Sequence, residues 1–247
     1  MRYKCIVMYD GTNFHGFQIQ EDLRTVQLEI ENVLKIITKV PTKIYPAGRT
    51  DTGVHAYNQV FHFDTDVEMK EYQMKNAINS RLPRDIYVKK VEIVDENFHS
   101  RYNAKIKEYH YIIDLNEYNP LLTNYRYYYK HKLDINKMID ASKIFIGTHD
   151  FKAFTKNHKI ENTVRTIYSI DFDINDKVIT IKFKGNGFLH NMVRIIVAML
   201  IEVGNDRKTK EDLENILASK NRLLAPKTAP ANALYLVNIE YDKETNK

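Results

Sequence analysis

The stretch GRTDTGVHA, from Gly48 to Ala56, holds one carboxylate, Asp51, between threonines and glycines. Arg49 precedes it by two positions, and in extended backbone such residues project to the same side. The guanidinium would keep the carboxylate ionised, ready to act as a nucleophile or a base. The structural alternative is a turn in which Asp51 caps its own backbone and Gly53 takes a positive φ. That alternative explains Asp51 and Gly53 but leaves Arg49 unexplained.

The Asp-Thr-Gly triplet is similar to that of aspartic proteases, whose mechanism requires two carboxylates that share a proton. The sequence contains one such triplet, so a second carboxylate would have to come from another copy of the chain. The guanidinium of Arg49 opposes a shared proton. His55 is a candidate for orienting Asp51. The sequence has neither a GxxxxGK[ST] phosphate loop nor an HExxH zinc pair, and its histidines lack metal-ligand spacing.

The composition is that of an ordinary globular protein with a basic balance. The 247 residues carry a net charge of +5 and a pI of about 9.0, which favours a polyanionic partner. The single cysteine, Cys5, excludes an intrachain disulfide. The longest apolar run, from Ile195 to Ile201, is too short to cross a membrane. We therefore expect a cytoplasmic protein that does not span a membrane.

The first half of the sequence predicts the element order β-α-β-β-α-β. Extended or alternating patterns predict strands at 3–9, 42–47, 59–63 and 86–94. Thr25 is expected to cap a helix, and a second helix contains Met74 and Ile78 and ends before Pro83. This order is ferredoxin-like.

The second half predicts the same order with an unrelated sequence. Strands are expected at 109–113, 164–174, 178–183 and 234–239, with Tyr168 and Ile170 on the same side of the second of them. Helices are expected after Asp134 and extending to Phe145, from 188 to 203, and after a capping box at Thr209. The predicted fold is α+β, with domains 1–103 and 104–247. Sheets of this order often bind single-stranded RNA, although the fold alone does not decide the function.

Short motifs follow one another along nearly the whole chain: Tyr9-Asp10-Gly11, Phe14 to Gln20, GRTDTGVHA, Leu82-Pro83 with Asp85-Ile86, Phe98 to Arg101, Lys107-x-Tyr109-x-Tyr111, Gly147 to Phe151, Gly187 to Leu189 with Met192 to Arg194, Thr228 to Ala231, and Leu234 to Leu236. In this order they resemble the motifs of the bacterial tRNA pseudouridine synthase A family. GRTDTGVHA is similar to that family's signature, GRTD followed by a small residue and GVHA.

The resemblance implies an isomerase that converts uridine to pseudouridine at three consecutive positions, 38–40, of the tRNA anticodon stem-loop. It implies no cofactor and no metal, and a homodimer in which one tRNA touches both subunits. The implied fold has two RNA-recognition-like halves that form a largely antiparallel sheet with helices on one face. Residues 1–103 would carry the Asp51 loop, and residues 104–247 would complete the active-site cleft. The alternative is a non-catalytic RNA-binding module of the same fold.

The resemblance also assigns residue roles. Asp51 matches the catalytic aspartate, which would attack the sugar, attack the base, or assist elimination. Arg49 matches the signature arginine, which would contact phosphate or help to extrude the base. Tyr109 matches a tyrosine whose ring would stack on the flipped uracil and whose hydroxyl would relay a proton. Arg194 matches an arginine expected to pair with the aspartate.

Two segments depart from that pattern or fall outside it. Ala233 stands where the family usually has glycine, and Pro226 lies where an Ala-Gly pair is common, so a loop near the site is expected to differ. The segment from Tyr125 to Lys132 interleaves aromatic and basic residues. It would either track RNA by stacking and phosphate contact or form an exposed edge strand kept soluble by charge.

Overall fold

The computed structural model describes residues 1–157, 159–225 and 227–242. Pro226, one of the two departures from the family pattern, lies outside the described residues. The chain forms two compact units, Met1–Ile106 with Tyr235–Lys247, and Lys107–Leu234. The domains 1–103 and 104–247 stay a prediction, and the compact units differ from them because the last strand groups with the first unit.

The described residues form ten strands and five α-helices, which confirms the predicted α+β class. In chain order the strands are β1 (Arg2–Tyr9), β2 (Tyr45–Pro46), β3 (His55–Asp64), β4 (Ile86–Val94), β5 (Ala104–Asp114), β6 (Tyr127–Tyr128), β7 (Gly147–Asp150), β8 (Val164–Asn175), β9 (Val178–Gly185) and β10 (Leu234–Tyr241). The α-helices are α1 (Val26–Thr38), α2 (Glu71–Asn79), α3 (Ile135–Ser142), α4 (Met192–Gly204) and α5 (Lys210–Ser219).

The sheet of the first unit places β1 between β4 and β3, and both of these neighbours run antiparallel to it. On its other side, β3 pairs antiparallel with β2 near its end and parallel with β10 near its start. The order β4-β1-β3-β2 is that of a split βαβ sheet, as the predicted element order requires. The start of β3, which follows the Asp51 loop directly, is thus held on both sides.

Helix α1 forms where the sequence predicts it because its start and its buried face both have strong local signals. The Thr25 hydroxyl accepts a hydrogen bond from the amide of Leu28, which satisfies one of the unpaired amides at the helix start. Ile30 and Leu34 are fully buried on one face. The helix ends at Lys39, which adopts a left-handed conformation with φ 65°.

The sheet of the second unit has the order β5-β9-β8-β7 with antiparallel pairs, and β6 pairs parallel with the end of β5. Strand β7 was not predicted. The predicted Asp134 cap and the Thr209 capping box are present at the starts of α3 and α5. Phe145, which was expected on α3, lies instead in a 3-10 turn after that helix has ended at Ser142.

Two further predictions about the second unit are wrong in detail. Helix α4 begins at Met192 and not at Phe188, because Asn191 has a left-handed φ of 62° that a helix cannot include. In β8 the register shifts between Ile167 and Ser169. This β-bulge changes the alternation, so Ile167 is buried and Tyr168 is half exposed.

Within the described residues, no helix is both long enough and apolar enough to cross a membrane.

Candidate functional site

The loop that carries Asp51 runs from the end of β2 to the start of β3. Along it the side chains alternate: Arg49 is exposed, Thr50 is buried, and Asp51 is half-buried. Because Thr50 points inward, its two neighbours lie toward the surface, as expected for extended backbone. The loop therefore places a guanidinium and a carboxylate on the outer side of one short segment.

The main chain just before Asp51 is anchored through Thr50. Its hydroxyl lies 2.8 Å from the Tyr9 hydroxyl, and its carbonyl accepts a hydrogen bond from the amide of Phe17 at 3.1 Å. Burial raises the pKa of Tyr9 far above its ordinary value, although its hydrogen bond to Thr50 acts in the opposite direction. Tyr9 is therefore neutral and links the end of β1 to the Asp51 loop.

The main chain just after Asp51 forms a turn. The amide of Val54 donates to the carbonyl of Asp51 at 3.2 Å, and the amide of Gly53 donates to Phe14 at 3.3 Å. Gly53 has a φ of 78°, the positive value predicted for a turn. The turn and the outward carboxylate occur together, and a cap made by the Asp51 side chain stays a prediction.

Two glycines of the β1–α1 connection lie against this loop at distances that exclude a side chain. A Cβ on Gly11 would lie 2.1 Å from the Val54 carbonyl oxygen. A Cβ on Gly16, whose φ is +88°, would lie 2.8 Å from the Thr50 carbonyl oxygen. Glycine at both positions lets two stretches of main chain pack directly.

His55 fixes the exit of the loop. Its ring is buried, and its Nδ1 accepts a hydrogen bond from the amide of Gly11 at 3.0 Å and lies 3.2 Å from Asp10 Oδ1. The ring also stacks on Tyr235 of β10, with centroids 4.8 Å apart. These contacts tie the start of β3 to neighbouring strands and loops. An orienting role for His55 toward Asp51 stays a prediction.

Tyr109 lies in the second unit, on β5, and is almost buried. Its ring meets Phe188 edge to face, with centroids 5.3 Å apart and an interplanar angle of 81°. A Cβ on Gly185, at the end of β9, would lie 3.1 Å from the Phe188 ring, so the glycine makes room for that contact. Tyr109 is thus one of a pair of aromatic rings held by β5 and the β9–α4 connection.

Arg194 lies in the first turn of α4 and is half-buried. Its Nε donates to the Ala229 carbonyl at 2.7 Å, and the Ala229 amide donates to the Arg194 carbonyl at 3.1 Å. The Tyr111 hydroxyl donates to the next carbonyl, Pro230, at 2.9 Å. Burial keeps the pKa of Tyr111 well above its ordinary value, so this hydroxyl stays protonated and can donate. Helix α4 and strand β5 therefore both hold the segment from Thr228 to Pro230.

Of the predicted site residues, Arg49 and Asp51 lie in the first unit, and Tyr109 and Arg194 lie in the second. Sequence reasoning missed the hydroxyls that position them, those of Thr50, Tyr9 and Tyr111. Tyr111 had a usable signal, because it lies two residues after Tyr109 and so projects from the same side of β5. The pairing of Tyr9 with Thr50 joins residues far apart in sequence and has no local signal.

The segment from Tyr125 to Lys132 makes several contacts inside the second unit. Arg126 donates to the buried carboxylate of Asp114 at 3.0 Å, and Asn205 donates to the Tyr129 hydroxyl at 2.6 Å. Burial opposes ionisation of Asp114, but hydrogen bonds from Asn116 and Arg126 outweigh it and lower the pKa of that carboxyl. These contacts give part of the segment a structural role, and RNA contact by the remainder stays a prediction.

The departure at Ala233 requires no distortion of the chain. Ala233 ends a 3-10 turn, Ala231–Ala233, is fully buried, and does not have a positive φ. Alanine adopts such a backbone without strain.

The chain matches a family model described as tRNA pseudouridine synthase, over residues 5–103 and 141–242. It is 44% identical to tRNA pseudouridine synthase A of Limosilactobacillus reuteri, with 100% of this chain and 99% of that protein covered. It is 43% identical to the protein of the same name from Anoxybacillus flavithermus, with 98% and 99% covered. It is 46% identical to tRNA pseudouridine synthase A of Pseudothermotoga lettingae, with 97% of this chain and 99% of that protein covered.

Proposed function

Because the chain belongs to the tRNA pseudouridine synthase family, we propose that it isomerises uridine to pseudouridine at positions 38–40 of the tRNA anticodon stem-loop. Asp51 is the nucleophile. The chain is then an isomerase whose substrate and product have the same atoms. A net charge of +5 is in keeping with a polyanionic substrate, because basic groups that neutralise phosphates release bound counterions.

One observation carries this proposal: the main chain is anchored on both sides of Asp51, while the carboxylate itself lies toward the surface. A nucleophile held in this way loses little conformational freedom when the substrate arrives, and positioning of this kind lowers the barrier of a reaction. A flexible surface aspartate would offer no such advantage. The anchored loop therefore supports catalysis more than a passive binding role.

The reaction breaks the bond between N1 of uracil and C1′ of the ribose, turns the base, and joins C5 to C1′. The proton on C5 is lost, and N1 gains one. The carboxylate of Asp51 attacks C1′, attacks C6 of the base, or assists elimination across C1′ and C2′. Each route uses the carboxylate as a nucleophile or a base.

The other predicted residues have supporting roles in the proposal. Arg49 contacts phosphate or helps to extrude the target nucleotide, since an exposed guanidinium suits a phosphate. Tyr109 stacks on the extruded uracil and relays the C5 proton, because a base must leave the helix before a protein group can reach it. Arg194 supplies a second guanidinium to the reaction.

The test compares Asp51→Asn with Asp66→Asn, which changes an exposed carboxylate elsewhere in the first unit. The substrate is an unmodified tRNA transcript with tritium at C5 of its uridines. We expect Asp66→Asn to release tritium at the wild-type rate and Asp51→Asn to release none above background. Both variants should bind the transcript with the wild-type Kd within about threefold, a difference of under 1 kcal/mol.

Two results would contradict the proposal in different ways. Wild-type product from Asp51→Asn would exclude Asp51 as the nucleophile. Wild-type protein that binds the transcript but releases no tritium would favour the alternative, a non-catalytic RNA-binding module. Mapping of pseudouridine in the treated transcript decides whether the modified positions are 38–40.

We further propose that the enzyme acts in the cytoplasm as a homodimer in which one tRNA touches both subunits. The resemblance of the motifs to the synthase A family supports this arrangement. Light scattering of the protein with and without transcript tests it. A mass of one chain bound to one tRNA at saturation would contradict the homodimer.

A further inference from the structure

Three aromatic rings of the first unit form a stack that begins at the catalytic loop and ends at the surface. His55 stacks on Tyr235 with centroids 4.8 Å apart and planes at 21°. Tyr235 stacks on Tyr57 with centroids 5.4 Å apart and planes at 15°. Exposure rises along the stack, from 3% for His55 and 7% for Tyr235 to 48% for Tyr57. The outer ring therefore has support on one face and solvent access elsewhere.

A β-bulge brings Tyr57 to this position. Val7 of β1 pairs with Gln59 of β3, and Tyr9 of β1 pairs with Ala56 of β3. Between these two pairs β1 advances by two residues, whereas β3 advances by three. Tyr57 and Asn58 therefore face a single residue of β1. Bulges re-aim side chains and are common beside active sites. The bulge lies directly after the loop that carries Asp51.

A cation is fixed beside Tyr57 by the same bulge. The Nζ of Lys89, on β4, donates to Asn58 Oδ1 at 2.6 Å and lies 3.4 Å from the Tyr57 carbonyl oxygen. Asn58 is itself held, because its Nδ2 donates to the Val237 carbonyl at 2.7 Å. The pairing of β4 with β1 also shifts between Lys90 and Val88, so Lys89 occupies a bulge of its own. Lys89 is exposed, and its ammonium group lies beside the main chain of Tyr57.

We propose that Tyr57 and Lys89 form a subsite for an unpaired nucleotide of the RNA substrate, next to the catalytic loop. The base stacks on Tyr57, and the phosphate pairs with Lys89. The inference rests on the proposed function in that the substrate is RNA. Every base has a π face, and stacking on an aromatic side chain combined with phosphate contact is how proteins hold single-stranded nucleic acid. The positive charge of Lys89 favours phosphate over an uncharged or basic partner.

Because Tyr57 also covers Tyr235, a purely structural role for its ring is the competing explanation. Substitutions of Tyr57 distinguish a role in binding a base from a role in covering Tyr235. Tyr57→Phe keeps the ring and so keeps both stacking contacts, whereas Tyr57→Ala removes the platform for a base. Tyr72→Ala is the matched control, since Tyr72 is an exposed tyrosine on α2.

The experiment measures binding of an unmodified tRNA transcript by fluorescence anisotropy, with every variant made in the Asp51→Asn protein so that no product forms. We expect Tyr57→Ala to raise the Kd by about tenfold or more, the usual effect of losing one base stack. Tyr57→Phe and Tyr72→Ala should bind like the parent. Lys89→Gln should reduce the slope of log K against log salt concentration by about one, the value for one phosphate contact, and Tyr57→Ala should leave that slope unchanged.

The subsite is overturned if Tyr57→Ala binds within twofold of the parent while its thermal unfolding shows that it is folded. It is equally overturned if Tyr57→Phe or Tyr72→Ala weakens binding as much as Tyr57→Ala. Tritium release by the protein with Asp51 intact is measured separately. If this protein releases no tritium but Tyr57→Ala still weakens binding, the proposed reaction is excluded and the subsite is supported. If it releases tritium but Tyr57→Ala binds like the parent, the subsite is excluded and the proposed reaction is supported.

Discussion

Replacing Gly16 with alanine should damage catalysis by moving the Asp51 loop. Gly16 has a φ of +88°, and a left-handed conformation costs an L-residue about 1–2 kcal/mol. In addition, the new Cβ would lie 2.8 Å from the Thr50 carbonyl oxygen. Either the segment around Gly16 or the segment around Thr50 must therefore move by about half an ångström to reach an ordinary contact distance. Strain and contact together should lower the unfolding free energy by about 1–3 kcal/mol.

The rate should respond more strongly than the stability. The Thr50 carbonyl belongs to the peptide that leads into Asp51, so the shift is passed directly to Asp51. Misplacement of a reacting group by about 1 Å can cost about 100-fold in rate, and we expect Gly16→Ala to slow product formation by about 10- to 100-fold. Single-turnover tritium release at saturating enzyme measures the chemical step, and thermal unfolding of the same sample measures the stability.

Gly147→Ala is the matched control. Gly147 also has a positive φ, +105°, but an added Cβ would meet only the flexible end of His149, at 3.4 Å. It should therefore lose stability through backbone strain and keep the wild-type rate. The reasoning is refuted if both variants lose the same stability and Gly16→Ala still turns over within twofold of wild type.

Two further changes test other parts of the structure. Burial, assisted by the charges of His99 and Arg2, lowers the pKa of His62 from 6.5 to about 4. As the pH falls, His62 therefore binds a proton in the unfolded chain at a higher pH than in the folded chain. The unfolding free energy should fall by up to about 1.4 kcal/mol per pH unit as the pH drops from 6.5 to 4. Urea titrations at several pH values should show a shallower fall for His62→Gln, and an identical slope would contradict the buried neutral ring. Arg194→Lys loses the Nε bond to Ala229 and should slow tritium release by about tenfold, equivalent to about 1.4 kcal/mol; a wild-type rate would show that the bond does not position the guanidinium for the reaction.

Local signals in the sequence predicted much of the fold. The cap at Thr25, the cap at Asp134 and the strand from Ile86 to Val94 occur where they were expected, because each depends on neighbouring residues alone. The start of α4 was predicted too early, because an apolar run does not reveal that Asn191 takes a left-handed conformation. The exposure of Tyr168 was also missed, since it depends on a bulge that pairing with β9 creates.

Sequence reasoning supplied the candidate residues of the site but not the contacts that hold them in place. The types and spacing of Arg49 and Asp51 predicted a guanidinium and a carboxylate on the same side of a segment, and the turn at Gly53 followed from its residues. The supports of that loop, Tyr9 and the two close glycines, could not be assigned because their contacts cross long stretches of chain. Only the folded main chain brings Gly16 against Thr50.

The pairing of β3 with β10 makes the first unit discontinuous along the chain. During synthesis, residues up to Ile106 leave the ribosome roughly ten seconds before Tyr235, at common rates of about 5–20 residues per second. In that interval the start of β3 has unpaired main-chain groups on the side that β10 later covers, and such edges promote aggregation. The unit that carries Asp51 therefore waits until β10 is translated before His55 gains the ring on which it stacks.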